Sequence, residues 1–180
     1  MDNSIALGTL TDYLAQCPED APYLGHVMRH LQGDDDVTNR SHRRGHVTVS
    51  AVVIRQGRQF LAIRHKTLNK MLCPGGHLEA EDESLMAGAL RELQEETGIA
   101  AQQVEPLSRL PVDVDCHTIP DNNRKQEPAH EHWDVRFAFH LKDDTATVIP
   151  HAGEIEGYQW APIDSLPTRL QQRVKALVKA

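Results

Sequence analysis

Residues 74–99, Pro-Gly-Gly-His-Leu-Glu-Ala-Glu-Asp-Glu-Ser-Leu-Met-Ala-Gly-Ala-Leu-Arg-Glu-Leu-Gln-Glu-Glu-Thr-Gly-Ile, constrain this chain more than any other stretch. A glycine turn runs into a segment in which Leu85, Ala89 and Leu93, with Met86 and Leu90 beside them, recur at helical spacing. The pattern predicts a helix with one buried stripe from Asp82 to Thr97, closed by Gly98 where a C-terminal cap glycine belongs. Glu92, Glu95 and Glu96 stand at i, i+3 and i+4, so their side chains emerge together, where like charges repel by roughly a few tenths of a kcal/mol per pair. A cation relieves that repulsion. Oxygen-only clusters suit hard divalent ions, Mg2+ first and Mn2+ second. Gly88, inside the helix, costs about 1 kcal/mol relative to Ala, and it predicts a close approach one turn before Glu92. The competing reading is a solvated acidic face. Such a face needs neither the Arg before the triplet, the Gly after it, nor the Gly-Gly turn upstream.

Arg91-Glu92-Leu93-Gln94-Glu95-Glu96-Thr97-Gly98-Ile99 reproduces the second half of the signature G-x5-E-x7-R-E-U-x-E-E-x-G-U, with U a bulky aliphatic. On these residues the chain resembles the Nudix hydrolase superfamily. Glu83 stands at the first Glu of the signature, and six residues separate it from Gly76 where the usual pattern has five. The pattern Glu127-Pro128-Ala129-His130-x-His132-x-Asp134 is similar to a bacterial subgroup that shares this longer turn. The resemblance implies an α/β Nudix fold, an α/β/α sandwich with a mixed sheet, and Mg-dependent cleavage of a pyrophosphate bond in a nucleoside diphosphate linked to another moiety. It also implies that Glu92, Glu95, Glu96 and the Gly76 carbonyl hold the metal, and that Arg91 fixes a glutamate, with Glu83 as its partner. Glu154, upstream of Trp160, matches a residue that reaches the metal site, with Glu156 in reserve. Glu154, His132 and the box glutamates, Glu92 and Glu95 among them, are all candidates for the base. A nucleotide-binding regulatory module, or a Nudix-like phosphatase or isomerase, are the alternatives.

A chain of 180 residues is long enough for one domain with its own core. The expected division is an N-terminal helical extension and loop over 1–45 and a Nudix domain over 46–180. A net charge of −7 argues against a nucleic-acid polymer, which leaves a small-molecule nucleotide or other diphosphate as partner. Cys17, Cys73 and Cys116 are too scattered for a disulfide framework or structural zinc site and fit a reducing cytoplasm. No basic-then-apolar leader and no apolar run near the ~20 residues of a membrane span is seen.

Leu7, Leu10 and Leu14 predict a first helix and Leu24, Val27, Met28 and Leu31 a second, broken at Cys17-Pro18-Glu19-Asp20. Their use is open between packing on the domain, a homodimer interface and a cover over the site. Residues 32–45 read as a loop in which Arg40, Arg43 and Arg44 could steady a substrate phosphate, as could Arg64. Val47–Ile54 and Gln59–Arg64 read as a hairpin, and Cys73 as core-facing. Val112, Val114 and Cys116 alternate with Asp113, Asp115 and His117, and Trp133, Val135, Phe137 and Phe139 alternate with His130, His132 and Asp134. Two polar rows, Asp113-Asp115-His117 and His130-His132-Asp134, are expected to face one another on an open side, as a second metal cluster or a base. Thr118 to Ala129 reads as a loop, and Pro162 to Ala180 as a closing helix with Leu170, Val174, Leu177 and Val178 on its apolar stripe.

Overall fold

Two consecutive positive-φ residues, Gln56 at 52° and Gly57 at 62°, turn the chain within an Arg58 N–H to Arg55 carbonyl bond of 3.2 Å. That is the geometry of a tight hairpin whose twist matches the strands it joins. It links β1 (Gly45–Arg55) to β2 (Gln59–His65) in antiparallel register, Ile54 opposite Phe60. The computed structural model describes residues 1–66, 69–121 and 127–179. The remaining strands among them are β3 (Lys70–Leu72), β4 (Gly75–His77), β5 (Val104–Pro106), β6 (Asp113–Ile119), β7 (His130–Leu141) and β8 (Ile155–Pro162). Their order is β3-β2-β1-β7-β5, with β4 also on β1, β6 on β7 and β8 on β2. The helices are α1 (Asn3–Gln16), α2 (Ala21–Leu31), α3 (Leu85–Thr97) and α4 (Thr168–Lys179). None of the described helices is long and apolar enough to cross a membrane.

The chain forms two compact units. The first comprises Met1–Val49, His77–Gly88 and Val114–Val135, so the segment expected as a separate extension lies with pieces of later sequence. Asp2 caps α1, its Oδ1 accepting the Ser4 amide at 2.8 Å. The buried stripe of α1 is Ala6, Leu10 and Tyr13, one step round from the predicted Leu7, Leu10 and Leu14. Leu24, Val27 and Leu31 are the buried residues of α2. Trp133 of β7, 1% exposed, meets α2 through a stacked His30 ring at 5.3 Å and an edge-on His26 at 6.0 Å. The Tyr23 hydroxyl accepts the Cys116 amide of β6 at 2.6 Å. Packing on strands is therefore what the second helix does within this unit.

The second unit comprises Ser50–Gly76, Ala89–Asp113 and Arg136–Ala180. Its core brings Val52, Ile54, Phe60 and Ala62 of the hairpin against Ala161, Ile163, Leu166, Leu170 and Val174, with Cys73, Leu177 and Val178 packed partly buried against it. The closing helix begins at Thr168, later than the predicted Pro162. Pro162 pairs with Gln59 as the last residue of β8, a short turn follows at Ile163–Ser165, and the Pro167 carbonyl accepts the first helical amide, from Gln171 at 2.8 Å. Ala180, and residues 122–126 of the predicted Thr118–Ala129 loop, lie outside the described residues.

The Val112–His117 strand also departs from simple alternation. Val112, Asp113 and Val114 are all buried, at 5%, 1% and 0% exposure. Asp113 is held by three guanidiniums: Arg169 Nε at 2.7 Å and Arg173 Nη1 at 3.0 Å donate to Oδ1, and Arg136 Nη1 at 3.3 Å to Oδ2. This corrects the expectation that Asp113 belongs to an open metal-binding row. Its carboxylate anchors α4 to β7, because a buried charge persists only where it is paired.

Candidate functional site

Helix α3 starts three residues later than predicted because Ser84 caps it. Its Oγ accepts the Ala87 amide at 3.1 Å, while Asp82 Oδ2 turns back to the Glu79 amide at 2.8 Å. The close approach expected at Gly88 is made by that same turn. A Cβ there would lie 2.9 Å from Asp82 Oδ2 and 3.0 Å from Leu78 Cδ2. At the other end Gly98, at φ 71°, donates to the Gln94 carbonyl at 2.9 Å. Closer to the helix end, the carbonyls of Glu96 and Thr97 accept the amides of His151 at 3.0 Å and Ile149 at 2.8 Å. The segment leading to Glu154 is thereby tied to the helix end.

Within the second unit the Pro74-Gly75-Gly76 turn lies directly on the helix carboxylates. The Gly75 amide donates to Glu96 Oε2 at 2.9 Å. A Cβ on Gly76 would sit 2.5 Å from Glu92 Oε1, so only glycine admits the Glu92 carboxylate so close to the backbone. Glu96 is 5% exposed. Burial, then the charges of Glu92, Glu154 and Glu95, raises its carboxyl to about 8 against the pull of the Gly75 amide. Arg91 Nη1 reaches Glu92 Oε1 at 3.1 Å and Glu95 Oε2 at 3.2 Å. The partner expected for it was Glu83, an exposed residue; these two bonds go to members of the cluster itself.

Glu154 is exposed, with its amide on the His151 carbonyl at 3.2 Å and its carbonyl on the Lys66 amide at 2.9 Å. Glu156, the reserve candidate, pairs with Arg64 Nε at 3.2 Å, and Arg64 Nη2 also donates to Asn69 Oδ1 at 3.0 Å. Arg44, exposed, belongs to the first unit.

The predicted second cluster divides. Asp134 is buried, 7% exposed, and not on an open face; strand alternation gives the side, and not what covers it. Asp115 Oδ2 meets His117 Nδ1 at 3.2 Å. His117, His130 and His132 do come together in the first unit, ring centroids 5.7 Å apart for His117–His132 and 5.1 Å for His130–His132. Two residues absent from the expectation join them: His46, 4.7 Å from His132, and His77, 5.2 Å from it. A histidine at the head of a β-branched strand and another directly after Gly-Gly were the available signals. Burial first, then neighbouring imidazoles, lowers His132 to about 3; burial likewise lowers His46 to about 4. Desolvation among like charges disfavours the protonated form of His132.

The NUDIX domain model matches residues 44–180. The chain belongs to the Nudix family. Among its relatives, the probable DHNTP pyrophosphohydrolase of Lactococcus lactis is 36% identical over 100 residues, covering 56% of this chain and 57% of that protein. The phosphatase NudJ of Escherichia coli K12 is 52% identical over 59 residues, 32% of this chain and 37% of that protein. The matched stretch spans less than two thirds of either relative. Among solved structures, the E. coli dihydroneopterin triphosphate pyrophosphohydrolase gives a TM-score of 0.55 at 17% identity, covering 74% of this chain and 96% of that one. A Nudix hydrolase from Clostridium perfringens gives 0.53 at 18% identity, with the same coverage. At such identities the likeness is one of fold, the mixed α/β Nudix fold. Nudix proteins generally use divalent metals, and the donor set here fits one: it is all oxygen, and its buried member, Glu96, ionises fully near neutral pH only if positive charge is supplied.

Proposed function

We propose that this Nudix protein is a Mg2+-dependent hydrolase that cleaves a pyrophosphate bond in a nucleoside diphosphate linked to another moiety. The observation that carries the reading is the clustering of Glu92, Glu95 and Glu96 against Gly75 and Gly76, with the Gly75 amide on Glu96 Oε2 at 2.9 Å and Glu92 Oε1 2.5 Å from where a Gly76 Cβ would stand. Glu92, Glu95 and Glu96, with the Gly76 carbonyl, would hold the ion. When bound, Mg2+ neutralises charge on the non-bridging phosphate oxygens, the main requirement of phosphoryl transfer.

The chain's own residues do the rest. Arg91 holds Glu92 and Glu95 side by side through the two charge-assisted bonds of its Nη1. Glu154 takes the proton from the attacking water, since it is exposed and its charge acts on Glu96. Arg64, half-exposed on β2, meets a substrate phosphate in exchange for Glu156. We take residues 46–180 as the hydrolase domain and 1–45 as its extension, and place the protein in the cytoplasm, where three unbridged cysteines are stable.

The test is a panel of nucleoside triphosphates, nucleotide sugars, ADP-ribose, dinucleoside polyphosphates and, from the name of the Lactococcus relative, dihydroneopterin triphosphate, with products identified directly. Release of a nucleoside monophosphate or pyrophosphate, dependent on Mg2+, is expected. Release of inorganic phosphate alone would favour the phosphatase reading that the NudJ name suggests. Tight nucleotide binding with no product would leave a regulatory module.

A further inference from the structure

We propose that His46, His77 and His132 bind a zinc ion. One nitrogen from each of the three lies within 4.8 Å of those of the others. The ring centroids are 5.1 Å apart for His46–His77, 4.7 Å for His46–His132 and 5.2 Å for His77–His132. They come from β1, β4 and β7, three segments of the first unit far apart in sequence.

The second observation is independent of this spacing. His46 is 2% exposed, and its Nε2 has no hydrogen-bond partner among the described residues. A buried ring nitrogen without a partner is rare enough to need a cause, a bound ion being one. Its other nitrogen, Nδ1, faces the His42 carbonyl at 3.4 Å, and His130 Nδ1 faces the Pro128 carbonyl at 2.8 Å. A ring whose Nδ1–H donates to a backbone carbonyl presents a lone pair on Nε2, the tautomer and support typical of histidine ligands.

Beside the trio, His130 Nε2 stands 3.2 Å from His132 Nε2. Two imidazoles on one tetrahedral zinc, at Zn–N of about 2.0–2.1 Å, have their nitrogens roughly 3.3 Å apart. His130 thus adjoins one member of the trio, and only His46, His77 and His132 have nitrogens that all lie within 4.8 Å of one another. An imidazole–imidazole hydrogen bond explains that pair, yet leaves His46 Nε2 unaccounted for.

The donor chemistry selects the ion. Imidazole nitrogens suit zinc and its neighbours among the transition metals, whereas Mg2+ takes oxygen ligands. Bound zinc would staple the starts of β1 and β7 to the end of β4. The proposal does not rest on the hydrolase reading.

The experiment is equilibrium dialysis of chelator-stripped protein against Zn2+ in excess Mg2+, followed by elemental analysis and chelator competition. Wild type and Glu96→Gln should each retain one zinc per chain, and His77→Gln and His132→Gln should bind it at least tenfold more weakly with unchanged circular dichroism. In the unaltered protein, the imidazole 15N resonances of His46, His77 and His132 should shift on adding one equivalent of Zn2+ and stay in place with Mg2+. Failure of wild type to retain zinc, or unchanged affinity in both histidine variants, would overturn the proposal. So would loss of zinc in Glu96→Gln, which would assign it to the carboxylates. If a histidine variant does not fold, the wild-type resonances decide, and their immobility overturns it.

Discussion

The amide of Gly75 donates to Glu96 Oε2 at 2.9 Å, and this one bond joins the glycine turn to the most buried carboxylate of the helix. Glu96 makes one contribution to the pH dependence of the metal-free protein, opposite in sign to that of the lowered His46 and His132. Its folded-state carboxyl, near 8, lies above its ordinary value of 4.5. A raised value means that the folded state holds the proton more tightly, so the stabilisation is complete below pH 4.5 and is lost as pH climbs through 8. The urea midpoint of wild type minus that of Glu96→Gln, both measured in chelator, should fall from pH 5 to pH 8. A midpoint equally pH-dependent in the variant would remove Glu96 as a cause.

The same substitution addresses catalysis. Glu96→Gln and Glu95→Gln keep size and remove charge from an oxygen-ligand set, so turnover should drop by orders of magnitude while the fold persists. Rates close to wild type in both variants would refute the metal site.

Gly76→Ala forces its methyl carbon into the space 2.5 Å from Glu92 Oε1. Glu92 must swing away, and a misplacement of about 1 Å can cost on the order of 100-fold in rate. We expect kcat/KM to fall by about that factor with little change in melting temperature. Steady-state kinetics beside a thermal melt checks it.

Arg91→Lys puts a shorter, more strongly hydrated ammonium in place of the guanidinium whose Nη1 reaches both Glu92 and Glu95. Because groups that orient ligands are worth about 10–100-fold in metal affinity, Mg2+ affinity should weaken by that range. Isothermal titration gives the number, and an unaltered affinity would remove the orienting role.

Asp113→Ala leaves three guanidiniums facing a cavity where a carboxylate was. Breaking a buried ion pair costs about 3–5 kcal/mol, so the variant should be strongly destabilised in chemical denaturation. Retained stability would show that Asp113 is not the anchor described.

Much of this was legible from residue order because it is local. The α3 stripe of Leu85, Ala89 and Leu93, the Gly98 cap and the β1–β2 hairpin around Gly57 each depend on contacts between residues near in sequence, where periodicity and turn chemistry act directly. The family signature names Glu92, Glu95 and Glu96 for the same reason, being written on one helix. What residue order could not supply is what covers each face. Alternation put Asp113 and Asp134 on a polar side, and packing buried both, Asp113 against Arg136, Arg169 and Arg173. Likewise His46, His77 and His132 belong to separate segments, and no period in the chain relates them. Their meeting follows from strand pairing over long separations, whose register is set by the buried apolar faces and not by the histidines themselves.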